Sequence, residues 1–226
     1  AAGRSLLVDS MSAFGAVPLA VNHIRCDAMV SSANKCIEGV PGFGFVIARK
    51  AMLEASQGRC HSLSLDLYDQ WATMEKTGQW RFTPATHTVA AFAEALRLHR
   101  LEGGVDARGL RYRNNRDTLV SGMRSLGFVT LLRDRWLSPI IVTFFNPADA
   151  NFEFTRFYEL MKEQGFIIYP GKLTEMDSFR IGCIGQIDAS VMEAVVTAAA
   201  SALQRMGVRS AQPPAQAFAE REKLVS

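Results

Sequence analysis

Ser31-Ser32-Ala33-Asn34-Lys35-Cys36-Ile37-Glu38-Gly39-Val40-Pro41-Gly42-Phe43-Gly44-Phe45 joins two apolar runs, and the fold turns on how it is read. Ala28 to Ser31 reads as a short strand, and Ser31 to Asn34 lead polar residues away from it into Lys35. Gly39 to Gly44 forms a glycine-rich turn, where backbone can approach another group closely. Phe45 to Ala48 reads as the next strand. Most lysines are solvated surface charges. One held between an apolar strand and such a turn loses hydration, which favours its neutral form and makes it a nucleophile toward an aldehyde. The Gly-Phe-Gly-Phe stretch is not a dinucleotide fingerprint, because GxGxxG and its helix are missing.

Upstream, Leu6-Leu7-Val8 reads as a buried strand ending in Asp9, as at the carboxyl end of a parallel strand. Asp9 fits a loop or cap carboxylate. Taken alone that is the commoner case; the functional reading is a buried carboxylate facing a cationic ring nitrogen, where it would keep a pyridine protonated and make the ring an electron sink. Asp9 and Lys35 each follow a neighbouring strand, so both are expected at the sheet edge where open α/β sheets bind ligands. A strand this apolar normally sits between neighbours. Nothing upstream supplies them, so the chain is expected to be the C-terminal part of a longer protein.

Downstream, residues Lys50 to Gln57 read as helix, and Cys60 to Arg81 as a long irregular loop. Val89, Phe92, Ala93, Leu96 and Leu101 give helical periodicity over Thr86 to Glu102, stopped by Gly103-Gly104. A second unit then alternates helices (Val105 to Leu126, Phe152 to Gln164, Ala189 to Met206) with strands (Phe128 to Leu131, Ile140 to Phe145, Phe166 to Tyr169, Phe179 to Cys183). The pattern is α/β over residues 1–104, followed by a small α+β domain over 105–208. A loosely ordered tail, 209–226, is expected to hold a short helix around Ala217 to Lys223.

Composition narrows the classes. Among 226 residues, 25 Lys+Arg against 22 Asp+Glu leave a net charge of +3, too small and dispersed for a nucleic-acid or membrane surface. A hydrophobic share of 48% and mean hydropathy of +0.05 fit a globular domain with a real core. Cys26, Cys36, Cys60 and Cys183 lack metal or disulfide spacing, and no apolar run is long enough for a membrane span, so a reducing cytoplasm is expected. His23, His61, His87 and His99 show no triad or metal spacing, and His99 reads as a helix-surface residue. Ser32 and Thr83 are loop hydroxyls that fit caps, turns or a phosphate contact. Alternation places Arg180 opposite Phe179 and Ile181. There it is either an exposed edge-strand arginine or a planar fork for a substrate carboxylate.

Taken together, the stretches Val8–Gly15, Ser31–Phe45, Trp80–His87, Phe166–Leu173 and Phe179–Gly185 closely resemble the 2-aminoethylphosphonate–pyruvate transaminase family of class V aminotransferases. The likeness keeps the family's order from about Arg4 to Val208, and the surroundings of Lys35 are its most specific part. The resemblance implies the fold type I, aspartate-aminotransferase-like architecture, with part of the large domain plus a small α+β C-terminal domain. It implies a homodimer with active sites at the subunit interface and pyridoxal 5'-phosphate as cofactor. By the same resemblance Lys35 is the Schiff-base lysine and proton shuttle, and Asp9 pairs with the pyridinium nitrogen. Ser32 contacts the cofactor phosphate, as does Thr83 from the partner subunit, and Arg180 binds the carboxylate of pyruvate or alanine. The implied reaction transfers the amino group of 2-aminoethylphosphonate to pyruvate, giving phosphonoacetaldehyde and L-alanine.

The family also has a substantial N-terminal part that this sequence does not contain. With it go a phosphate-binding turn, an aromatic residue stacked on the cofactor ring, and most of the central sheet. The chain by itself is therefore expected to lack a complete site. Two other readings stand beside the first: an inactive fragment of the same enzyme, and an alanine/serine–glyoxylate-type aminotransferase.

Overall fold

The computed structural model describes residues 4–19, 25–171 and 175–224. His23 and the Lys172-Leu173 end of the Phe166–Leu173 stretch lie outside them. The chain divides into two compact units, Ala1–Arg108 and Gly109–Ser226.

The first unit is built on a three-stranded sheet of order β1-β2-β3: β1 (Leu7–Asp9), β2 (Ala28–Ser32) and β3 (Gly44–Ala48). β1 and β2 are parallel, with Leu7 opposite Ala28 and Asp9 opposite Val30. β3 returns antiparallel, with Ser32 opposite Gly44. Three short helices follow: α1 (Lys50–Glu54), α2 (Leu67–Thr77) and α3 (Thr86–Glu102). Phe14, Phe45, Phe92 and Phe43 form a chain of edge-on and tilted rings with centroids 5.1 to 5.4 Å apart, tying α3 to the sheet.

Two expectations fail here. β1 was read as buried, yet Leu7 is 70% exposed, because β1 is hydrogen-bonded on one side only among the described residues. The stretch Cys60 to Arg81 was read as irregular, yet it contains α2. Asp66 caps that helix by accepting from the Asp69 N–H at 3.0 Å, and Gly78 ends it in the left-handed conformation. Polar Asp69, Gln70 and Lys76 hid the spacing of Leu67, Trp71 and Met74.

The second unit has the sheet order β4-β6-β5, all antiparallel: β4 (Ile141–Phe145), β5 (Tyr169–Pro170) and β6 (Ser178–Gly182). Its helices are the greater part of α4 (Gly104–Ser125), then α5 (Phe154–Glu163), α6 (Ala189–Met206) and α7 (Ala215–Lys223). Phe128, Phe144, Phe157 and Phe179 pack with Leu160, Met192 and Ala199 into one closed core. Glu153 caps α5 and Asp188 caps α6, each accepting two backbone N–H groups. Gly122 lets α4 approach α6: a Cβ there would lie 2.5 Å from Val196 Cγ2.

The strand expected over Phe128 to Leu131 is a single bridge, Thr130 to Phe144, because the chain turns away after two backbone bonds to β4. The tail is also more ordered than composition implied. Ala211, Ala217 and Glu220 are buried, and the Glu220 carboxylate accepts the N–H groups of Glu175 and Met176 at 2.8 Å each. No helix among the described residues is long and apolar enough to cross a membrane.

Candidate active site

The carboxyl ends of β1 and β2 lie side by side, and the residues leaving them are stitched together. The Ser10 N–H donates to the carbonyl of Val30 at 2.9 Å and the Ser10 hydroxyl to the same oxygen at 3.1 Å. The buried Ser31 hydroxyl donates to the carbonyl of Ser10 at 3.3 Å. These bonds place Asp9 and the Ser31–Lys35 segment at one end of a parallel strand pair, as the strand reading required. Neither Ser10 nor Ser31 stood out in the sequence, since buried serines carry no spacing signal.

Asp9 is exposed, where a buried carboxylate was one expectation; the one-sided bonding of β1 is the reason. Its Oδ1 accepts the Met11 N–H at 2.9 Å, which bends the chain into the loop that follows. That loop rests on the Lys35 turn: a Cβ on Gly15 would collide with Ile37 Cδ1, and the Cys36 thiol donates to the carbonyl of Ser12 at 3.5 Å. His99, read as a surface residue, is only 7% exposed and donates from Nε2 to the carbonyl of Gly15 at 2.6 Å. It shares a face of α3 with buried Ala95, one turn earlier.

The turn itself is closed by two backbone bonds, Glu38 N–H to Lys35 carbonyl at 2.8 Å and Gly39 N–H to Ala33 carbonyl at 2.9 Å. Lys35 projects from it exposed, with no hydrogen bond or ion pair from its ammonium among the described residues. Burial pushes the neighbouring Cys36 thiol up to about 11, against the opposing pull of the Arg108 charge, so it stays a thiol. Ser32 Oγ is buried and has no hydrogen-bond partner among the described residues. Such an orphan hydroxyl costs free energy unless something fills it. Thr83 is exposed, between the half-exposed Trp80 and Phe82 on one side and α3 on the other.

Arg180 belongs to the second unit. It lies on β6, the central strand and not an edge, with Phe179 and Ile181 buried on the opposite face as alternation required. Its Nε donates to the carbonyl of Pro170 at 3.0 Å, which holds the guanidinium plane at β5.

The aminotransferase class-V profile matches residues 1–180, which include this strand end and the Lys35 turn. The chain belongs to the class-V aminotransferase family. It is 71% identical over 224 residues to the 2-aminoethylphosphonate–pyruvate transaminase of Rhizobium meliloti (strain 1021), covering 99% of this chain and 58% of that protein. Among solved structures it is similar to pyridoxamine-pyruvate aminotransferase from Mesorhizobium loti, with TM-score 0.81 and 19% identity over 99% of this chain and 57% of the other. It is also similar to PLP-bound phosphoserine aminotransferase from Trichomonas vaginalis, with TM-score 0.72 and 20% identity over 88% of this chain and 55% of the other. These structures share the fold. The chain spans somewhat more than half the length of the relatives it matches.

Proposed function

We propose that the chain serves a pyridoxal-phosphate-dependent aminotransferase that moves the amino group of 2-aminoethylphosphonate to pyruvate, yielding phosphonoacetaldehyde and L-alanine. The observation that carries the reading is the grouping of Lys35, Asp9 and the orphan Ser32 hydroxyl at the carboxyl end of the β1–β2 pair. The choice of substrates rests on the Rhizobium meliloti relative. In this reading, residues 1–104 are part of a large cofactor-binding domain and 105–208 a small domain.

When bound, the cofactor supplies an aldehyde and a protonated pyridine ring that withdraws electrons from the substrate carbon. Lys35 would hold it through Nζ, and the same nitrogen would carry the substrate's proton. Asp9 holds the ring-nitrogen proton in place by its charge. Ser32 Oγ would donate to the phosphate, which would give it a partner, and Thr83 from a neighbouring copy would contact the same phosphate. Arg180 receives the carboxylate of pyruvate through a two-pronged pair of bonds. The half-exposed Trp80 and Phe82 beside Thr83 support a homodimer, since aromatic residues of this kind are enriched at interfaces. Four free cysteines support a cytoplasmic setting.

The test is to express the chain together with whatever its reading frame encodes upstream of Ala1, add pyridoxal phosphate and reduce with borohydride. Mass spectrometry is expected to find the label on Lys35, and none in Lys35→Ala. Label elsewhere, or none, overturns the cofactor assignment. Alanine formation from 2-aminoethylphosphonate and pyruvate then checks the substrates; a preference for glyoxylate as acceptor would overturn them.

A further inference from the structure

We propose that Arg108 is the positioning residue for Lys35. The proposal rests on the reading of Lys35 as the cofactor lysine and concerns the turn that carries it. Arg108 is 2% exposed, and its guanidinium serves three groups. Nε and Nη2 each meet Glu102 Oε2 at 2.6 Å, at the last residue of α3. Nη1 donates to the carbonyl of Cys36 at 2.5 Å and stands 3.6 Å from Glu38 Oε1. The residue next to Lys35 is thus held by a fixed charge that is itself held by a helix end.

The turn is built to be gripped in this way. Glu38 adopts φ +61, uncommon outside glycine, and that backbone state brings its carboxylate to the Arg108 side. Gly39 closes the turn against Ala33, whose carbonyl oxygen would lie 2.7 Å from an added Cβ. A buried guanidinium is expensive unless its donors are filled, and apolar residues of similar volume commonly serve stability as well. What an apolar residue cannot do is fix the carbonyl beside Lys35. A reacting amine displaced by about 1 Å loses much of its rate, so the bond to Cys36 is a positioning bond.

The test compares Arg108→Lys, which keeps the charge but loses the fork, and Glu102→Gln, which removes the charge that braces the fork, with the unsubstituted protein. Amide hydrogen exchange across residues 33–39 needs no cofactor and reads the turn directly. Exchange at the Glu38 and Gly39 amides is expected to rise about tenfold in both variants, with β4 and β6 unchanged. The rate of borohydride-fixed cofactor labelling at Lys35 is expected to fall by a similar factor, with the extent of labelling retained. Unchanged exchange at 33–39, or a rise spread evenly over residues 4–108, overturns the proposal and leaves Arg108 as a structural ion cluster. Should Arg108→Lys fail to fold, Glu102→Gln decides alone on the same two criteria. A lack of label at Lys35 in the unsubstituted protein overturns the site reading, and this proposal with it, whatever the exchange shows.

Discussion

Ser32 presents an asymmetry that a substitution can read. Its hydroxyl is buried without a partner, so removing it relieves the desolvation cost of an unmet polar group. Ser32→Ala is expected to leave Tm unchanged or raise it slightly, while weakening pyridoxal phosphate binding about tenfold in a fluorescence titration. A fall in Tm with unchanged binding would show the hydroxyl to be structural. Arg180→Lys replaces a planar fork by a point charge. Under the proposed function it is expected to raise the KM for the carboxylate-bearing acceptor about tenfold, with the KM for the amino donor little changed. The places of Lys35, Ser32 and Arg180 in the fold were legible in the sequence, because each sits beside a motif or in a strand alternation. Arg108, His99, Ser10 and Ser31 were not. Their bonds to the carbonyls of Cys36, Gly15, Val30 and Ser10 span 20 to 84 residues of chain, and no local pattern announces such a bond.

At the scale of elements, the helices were readable where an apolar stripe runs plainly along them. α3 and α6 were expected over the residues they occupy, since Gly103 and Gly207 stop them and an apolar stripe runs along each. α2 was missed because its cap, Asp66, is followed by mixed polar residues. Asp66→Ala is expected to destabilise the first unit by about 1 kcal/mol, seen as faster exchange in residues 67–77. Gly122→Ala tests the α4–α6 approach. Val196 is β-branched and stiff, so it cannot swing aside, and overpacking should cost the second unit about 1–3 kcal/mol in chemical denaturation. Strand edges were less readable, because pairing is a long-range property: Phe128 to Leu131 has a strand's composition and makes only one bridge.

For the whole molecule, acid stability follows from the helix caps. Backbone N–H groups of Thr155 and Arg156 hold the Glu153 carboxyl below its ordinary value, and the Ser190 hydroxyl and Val191 N–H do so for Asp188. Asp149 is lowered in the same way, by the N–H groups of Asn151 and Arg209. A depressed carboxyl contributes stability that is fully present above its unfolded value and disappears as pH falls through the folded one. The urea midpoint is therefore expected to drop in the acid range below the ordinary carboxylate values. Glu153→Gln should flatten that drop while lowering the neutral-pH midpoint only slightly; an unchanged acid slope would show that the cap does not contribute.

The order β4-β6-β5 also governs how the second unit comes together in time. β4 and β5 emerge first and do not bond each other; both wait for β6 to enter between them. The β6–β5 hairpin closes locally, but β4 meets β6 only after a loop containing α5 has been closed, an entropic cost that comes before any reward. Phe179 of β6, stacked on Phe144 of β4, is expected to make that contact as the barrier is crossed. Refolding of this unit should be paced by β6 insertion, and truncating Phe179 should slow refolding more than it speeds unfolding.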